Sequence, residues 1–291
     1  MRSLQALLSK AAIIVKRRFA REHSGIGVVN WKGKTMSTDQ TVAVITGGSR
    51  GIGAALVQAF RSRNYRIVAT SRSIKPCRDE DLVTVQGDVA DPNTANLVFK
   101  EALGRFGRVD TLVNNAGMFI AKPFTSYSND DYASYIATNI TGFFHMTQRA
   151  MELMNQAGRG HVVTVTSSLV DQPMSSVPGV LTSLTKGALN AATRAPAIEH
   201  AKNGVRVNAV SAGIIKTPMH SPEIHPFFAS LHPMGRMGEI SEIVDAILYL
   251  ESAKFITGEI LHVDGGQSAG HHAISTQGRG ERHSRANGRP V

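Results

Sequence analysis

Cysteine is almost absent: Cys77 stands alone in 291 residues, so no internal disulfide framework can form, and no Cys/His grouping has the spacing of a structural zinc site. No metal ligands are assigned, His271 and His272 included. Apolar runs of the roughly 18 residues that a membrane-spanning helix needs are also missing. Net charge is lacking where it would matter most. The chain carries +10 overall, but residues 1–35 hold eight Lys/Arg against one acid and residues 268–291 hold four against one, which leaves 20 basic and 20 acidic residues in 36–267. A neutral body offers no electrostatic case for binding nucleic acid or an acidic membrane surface.

The charge pattern divides the chain in three. The body opens at Met36 with a polar lead into a β-rich run, and Met36 reads as the biological start, with 1–35 a basic N-terminal extension upstream of it. Two alternatives stand beside that reading: a mitochondrial targeting segment, since the stretch is Arg/Lys-rich with no acid before Glu22 and could form an amphipathic helix over Leu4 to Arg18, or a disordered basic arm. From residue 268 the composition turns to Gly, Arg, His and Ser, too poor in large apolar side chains to offset the entropy of ordering, and a disordered basic C-terminal tail is expected. A reducing compartment, the cytoplasm, is the expectation for the protein, or the mitochondrion if 1–35 is a leader.

Within 36–267, short Val/Ile-rich runs alternate with segments of helical period, the signature of βαβ units. Strands are predicted at Val42 to Thr46, Arg66 to Thr70, Leu82 to Gln86, Thr111 to Asn114, His161 to Thr166, Val205 to Val210 and Glu259 to Val263. Helices are predicted near Gly51 to Arg63, Pro92 to Phe106, Asn129 to Asn155, Leu181 to Lys202 and Ile240 to Glu251. The fold class expected is α/β: one doubly wound Rossmann-type domain, a seven-stranded parallel sheet flanked by helices.

Directly after the first strand comes Thr46-Gly47-Gly48-Ser49-Arg50-Gly51-Ile52-Gly53. Glycines there let the backbone approach a pyrophosphate, and the free amides of the following helix face the anion. The second strand ends Thr70-Ser71-Arg72, without the acid that would hold the adenosine ribose hydroxyls of NAD. Arg72 and Arg50 instead suit a 2′-phosphate, because a guanidinium matches phosphate geometry. NADP is therefore expected over NAD.

Together with motifs further along the chain, these residues resemble the short-chain dehydrogenase/reductase family across Met36 to Gln267. The TGxxxGxG loop reads as Thr46, Gly47, Gly51 and Gly53, with Ser49, Arg50 and Ile52 between; the acid after the third strand is Asp88, followed by Val89; the NNAG element is Asn114-Asn115-Ala116-Gly117; the Asn of the long central helix is Asn139. The resemblance implies that these, with Gly213, the Ile214–Ile215 backbone and Thr217, hold the nucleotide. One departure is Ala212, where the family usually has Pro before the glycine, and a modestly looser turn is expected from it.

A second departure is chemical. The family's proton relay uses a Tyr, a Lys four residues later and a Ser. Lys186 matches the Lys, which the resemblance also places on the nicotinamide ribose, but the Tyr position holds Thr182, whose aliphatic hydroxyl does not ionise near neutral pH as a perturbed phenol can. Ser167 matches the Ser, with Ser168 the alternative; Ser167 lies 15 residues before Thr182, two more than usual, which lengthens the intervening loop. Asp171, Ser175, Ser176, Ser183 and the lid histidines His220 and His225 are candidate stand-ins for the missing group, and Asn139 is expected to hold a water that links Lys186 to solvent. Tyr127, Tyr132 and Tyr135 read as packing residues. The segment Met219 to Met237 reads as an apolar lid over a small carbonyl or alcohol substrate, and the long helices resemble those that join family dimers and tetramers, so a homo-oligomer is expected. The leading expectation is an NADP-preferring oxidoreductase with catalytic residues Asn139, Ser167, Thr182 and Lys186 in an altered acid/base arrangement; the rival is a catalytically impaired NADP(H)-binding sensor or interaction protein.

Overall fold

The computed structural model describes residues 40–77 and 79–270; the basic extension 1–35, His271, His272 and the rest of the tail lie outside the described residues. Seven strands are present: β1 (Val42–Thr46), β2 (Arg66–Ser71), β3 (Leu82–Gln86), β4 (Thr111–Asn114), β5 (Gly160–Ser167), β6 (Val205–Ala212) and β7 (Ile260–Val263). They form one sheet in the order β3-β2-β1-β4-β5-β6-β7, with every pairing parallel. The predicted fold class and strand count stand. Both faces of such a sheet are covered, which is why β1 is buried along its whole length and reads as a continuous apolar run rather than an alternating one.

Helices α1 (Gly51–Ser62) and α7 (Ile240–Ser252) pack together on one face. Leu56, Val57 and Phe60 of α1 meet Ile243, Ile247 and Leu250 of α7 over Ala43 and Ile45. The opposite side is served by α2 (Pro92–Phe106), α3 (Asn129–Tyr135), α4 (Gly142–Ala157) and α5 (Val180–His200). α2 starts where Asp91 accepts a hydrogen bond from the Asn93 amide with Pro92 in the first turn, and stops at Gly107 in the left-handed region, the Pro-first, Gly-last pattern of a well-signalled helix.

The predicted single helix over Asn129 to Asn155 is not one helix. α3 gives way at Ile136–Thr141 to a π-helical turn before α4 resumes, and such turns gather at functional sites. Ala212 extends β6 past its predicted end, buried and in register with Ser167 on one side and Val263 on the other. Ordered structure reaches past the predicted boundary of the body, since Ser268 donates from both its amide (2.8 Å) and its hydroxyl to Asp264.

Near the amino-terminal end of the sheet lies a buried polar cluster. His161 Nδ1 donates to Glu251 at 2.6 Å, Tyr65 donates to the other Glu251 oxygen at 3.1 Å, and Asn208 donates to His161 Nε2 at 3.0 Å. Burial first, and then the positive charge of Arg206, lower the His161 pKa from 6.5, against the pull of Glu251. Burial alone would raise Glu251, but the His161 hydrogen bond and charge carry it below 4.5. Both groups thus bind protons less readily folded than unfolded, so stability falls as pH drops below about 6.5 and again through the carboxylate range. Glu251→Ala should cost about 3 kcal/mol at neutral pH, because it strands two buried donors. Urea unfolding at pH 7.5 and 5.5 checks both claims; a wild-type stability that is flat over that interval rejects the linkage.

Candidate functional site

Strand order reverses between β1 and β4: β1 continues to β2 on one side, while the chain returns to place β4 on the other. In open α/β sheets, ligands bind in the crevice beyond the strand ends at such a point. A cavity of about 350 Å³ opens here, walled by the glycine loop, Asp88, Gly117, Ser167, Lys186 and Thr217 among others. That volume suits a small ligand or the reactive part of a larger one.

The glycine loop is shaped from beneath. Thr46 Oγ1 accepts from the Asn115 and Ala116 amides at 3.0 and 2.9 Å, and Asn115 Nδ2 donates to the Thr46 carbonyl at 2.9 Å. Gly53 packs so tightly under this loop that a Cβ would stand 2.1 Å from the Gly47 carbonyl oxygen, so no other residue fits. α1 then begins at Gly51 with no side-chain cap and no acid in its first turn, leaving its amides directed at the crevice as an anion site requires.

The predicted nucleotide residues Gly47, Ser49, Arg50, Gly51, Ile52, Gly53, Arg72, Asp88, Val89, Asn115, Ala116, Gly117, Lys186, Gly213, Ile215 and Thr217 all wall the cavity. Thr46 does not. Its hydroxyl faces the β1–β4 junction, buried, where it braces the loop. Arg50 and Arg72 are exposed at the rim, with Ser71 and Ser73 beside them.

At the deep end, Ser167 and Ser168 separate by their partners. Ser168 donates to Gln267 at 2.6 Å and is buried, whereas Ser167 ends β5 half-buried and accepts from the Leu169 amide at 3.3 Å. Ser167 is the hydroxyl free to donate into the cavity. Lys186 is buried, with its ammonium donating to the Val165 carbonyl at 2.8 Å; burial with no carboxylate beside it lowers its pKa to about 8. Asn139 sits in the π-helical turn, accepting from the Met118 amide at 3.0 Å and donating to Thr185 at 3.0 Å. Its side chain is thus committed to the backbone and to α5, and it does not wall the main cavity.

Thr182 does wall the cavity, one helical turn before Lys186. Its Oγ1 lies 3.1 Å from the hydroxyl of Tyr135, a fully buried residue. This contact corrects the reading of Tyr135 as packing alone. Of the other stand-ins, His220 walls the cavity, set edge-on to Phe228, and burial followed by the nearby His225 lowers its pKa. Asp171 faces His262 at 3.0 Å, Ser183 donates to the Leu169 carbonyl at 2.9 Å, and these two, with Ser175, Ser176 and His225, lie away from the cavity wall. The lid folds as the short helix α6 (His225–Ser230), whose Phe228 packs with Val177, Leu231 and Met237. His232, a further histidine of the predicted lid segment, accepts from the Ile214 amide at 3.1 Å and donates to the Phe228 carbonyl at 2.9 Å, joining lid to cavity wall.

Comparison with known proteins agrees with this geometry. The profile of the enoyl-(acyl carrier protein) reductase family matches residues 47–268. A tropinone reductase homolog of Arabidopsis thaliana is 33% identical over 252 residues, covering 80% of this chain and 94% of that protein. A 3alpha-hydroxysteroid dehydrogenase of Mediterraneibacter gnavus is 32% identical, covering 79% and 98% respectively. The structure of ElxO with NADP bound superposes with a TM-score of 0.75 at 30% identity, over 79% of this chain and all of that one.

The lysine assignment has a direct check. Side-chain NMR of the lysine ammonium groups should show one amine titrating near pH 8 that vanishes in Lys186→Met; an unchanged set of titrations rejects it.

Proposed function

The chain belongs to the short-chain dehydrogenase/reductase family, and on that footing we propose that it is an NADP-preferring oxidoreductase that moves hydride between the nicotinamide and a small carbonyl or alcohol. The observation that carries this is the joint placement of the uncapped α1 amides, Ser167 and Lys186 around one cavity. The α1 amides and Gly53 cradle would hold the pyrophosphate, Asp88 the adenine, and Lys186 the ribose next to the nicotinamide. The cofactor would supply the hydride chemistry; the chain's part is positioning and electrostatics. Arg50 and Arg72 at the rim, with no acid on the end of β2, favour a 2′-phosphate.

Lining the inner cavity, Phe119, Val177, Met219 and Phe228 favour an apolar substrate. In this reading Thr182 replaces the family's Tyr as the hydroxyl nearest the substrate oxygen. Phe144, Leu184 and Ile198, exposed on α4 and α5, support self-association as a homo-oligomer. The single exposed Cys77 suits a reducing compartment, and the cytoplasm is the one we propose. A second reading, a nucleotide sensor with impaired catalysis, rests on the absence of a phenol at residue 182.

Fluorescence titration separates the cofactor claims: NADPH should bind at least about tenfold more tightly than NADH, and Arg72→Ala should erase most of that margin while leaving NADH unchanged. Equal affinities reject the NADP preference. Following NADPH absorbance against aldehydes, ketones and quinones, with Thr182→Tyr beside the wild type, decides the rest. Turnover by the wild type establishes the enzyme; turnover by Thr182→Tyr alone favours the sensor.

A further inference from the structure

We propose that the proton needed by the substrate oxygen comes from the phenol of Tyr135, delivered through the Thr182 hydroxyl. The inference rests on the oxidoreductase reading and says how that site works without a phenol on its wall. Its basis is a chain of hydroxyls running from the cavity towards the protein surface. Thr182 walls the cavity; Tyr135, fully buried behind it, lies 3.1 Å from Thr182 Oγ1; Tyr127, half-buried, shares the Ile120 carbonyl with Tyr135 and packs against its ring edge-to-face.

The available donors and acceptors set the direction of the chain. The Tyr135 oxygen accepts from the Ile120 amide at 2.6 Å, so the phenol still has its one proton to place. Two acceptors are in reach: the Ile120 carbonyl at 3.2 Å and Thr182 Oγ1 at 3.1 Å. Tyr127 already donates to that carbonyl at 2.6 Å, the better geometry of the two. In the proposed relay the Tyr135 proton goes to Thr182 rather than to the remaining lone pair of that carbonyl, which leaves the Thr182 proton directed into the cavity. A hydroxyl that accepts one hydrogen bond and donates another is an efficient conduit, because adjacent hydrogen bonds polarise one another.

The proton balance closes without a free alkoxide. When the substrate carbon gains a hydride with its electron pair, the oxygen forms a bond to the Thr182 proton. The Thr182 O–H bond breaks as the Tyr135 proton arrives, so Thr182 ends as it began. The charge comes to rest on the Tyr135 phenolate, where the Ile120 amide already donates. Tyr135 then regains its proton from solvent past the half-buried Tyr127, whose own hydrogen bond stays on the Ile120 carbonyl, for a net uptake of one proton. The proton thus comes from a phenol rather than from an aliphatic alcohol. Of the other polar groups at the deep end, Lys186 donates to the Val165 carbonyl and Ser168 to Gln267, while Ser167 is left to orient the substrate oxygen.

The test uses the full chain, NADPH and the best carbonyl substrate of the panel. Tyr135→Phe keeps the ring and Thr182→Val keeps the shape, so each removes a hydroxyl with little change in packing. Each should lower kcat about 10²-fold or more, the ordinary cost of losing a proton-transfer group, while KM and the NADPH Kd stay within about twofold of the wild type. Thr182→Ser should restore most of the rate, Tyr132→Phe should change nothing, and the Tyr135→Phe/Thr182→Val double variant should be no slower than the slower single, as for residues that act as a unit. A Tyr135→Phe kcat less than tenfold below wild type overturns the relay, as does a double variant whose losses multiply. If melting shows Tyr135→Phe unfolded, the Thr182→Val and Thr182→Ser pair carries the decision: equal rates for the two overturn it. A wild type that binds NADPH but reduces no carbonyl fails the oxidoreductase reading itself, and the relay falls with it.

Discussion

Everything at the ligand end of this protein depends on how β1 and β4 are held together where the sheet changes direction. Beyond the last ladder hydrogen bonds, the two strand ends must diverge to open a crevice, and their backbone amides lose their partners there. The Thr46 hydroxyl takes up two of them, from Asn115 and Ala116, while Asn115 returns a bond to the Thr46 carbonyl. This clasp sets how close the glycine loop lies to the second loop. It also explains why Gly53 tolerates no side chain: the Gly47 carbonyl, held down beside Asn115, occupies the space a Cβ would need. The anion-binding amides of α1 are consequences of a junction made several residues earlier.

The same junction shows what local sequence pattern reveals and what it conceals. The strands are legible because a parallel sheet covered on both faces demands short runs of Val, Ile and Ala, and the runs in β1, β3 and β4 end where the predicted bounds do. Most of the nucleotide crevice is legible too, since loop glycines and their flanking strand and helix lie close together in the chain. For Thr46 the motif gives its place at the head of the loop but not which way its oxygen points, towards the Asn115 and Ala116 amides. The π-helical turn at Ile136–Thr141 is invisible in the sequence because its apolar period barely differs from that of the helices on either side. Asn139, held there by Met118 and Thr185, shows what the turn accomplishes.

Tyr135 marks the limit of sequence reasoning more sharply. Its partner Thr182 is 47 residues away, on another helix. Spacing places Tyr135 on the inward side of its own helix, which is equally consistent with packing; only the tertiary arrangement of α3 and α5 brings the two hydroxyls together. A departure from a motif at one position is readable in the chain, whereas a contact with a side chain far along it is not.

Burial then decides how the groups at the deep end behave. Lys186 has no carboxylate to offset its desolvation, and its proton affinity falls, so the site's cation is held by a single carbonyl rather than by an ion pair. Around that one cation much of the lining is apolar, Phe119, Leu169, Val177 and Phe228 among it. The walls around it point the same way: the loop after β5 carries Val177 into the cluster of Phe228, Leu231 and Met237, with Phe119 and Ile214 packed against it, so the lengthened loop and the lid share one apolar core. His232 fixes that core to the cavity wall through the Ile214 amide. Loop and lid together thus set the shape and apolar area of this wall of the cavity.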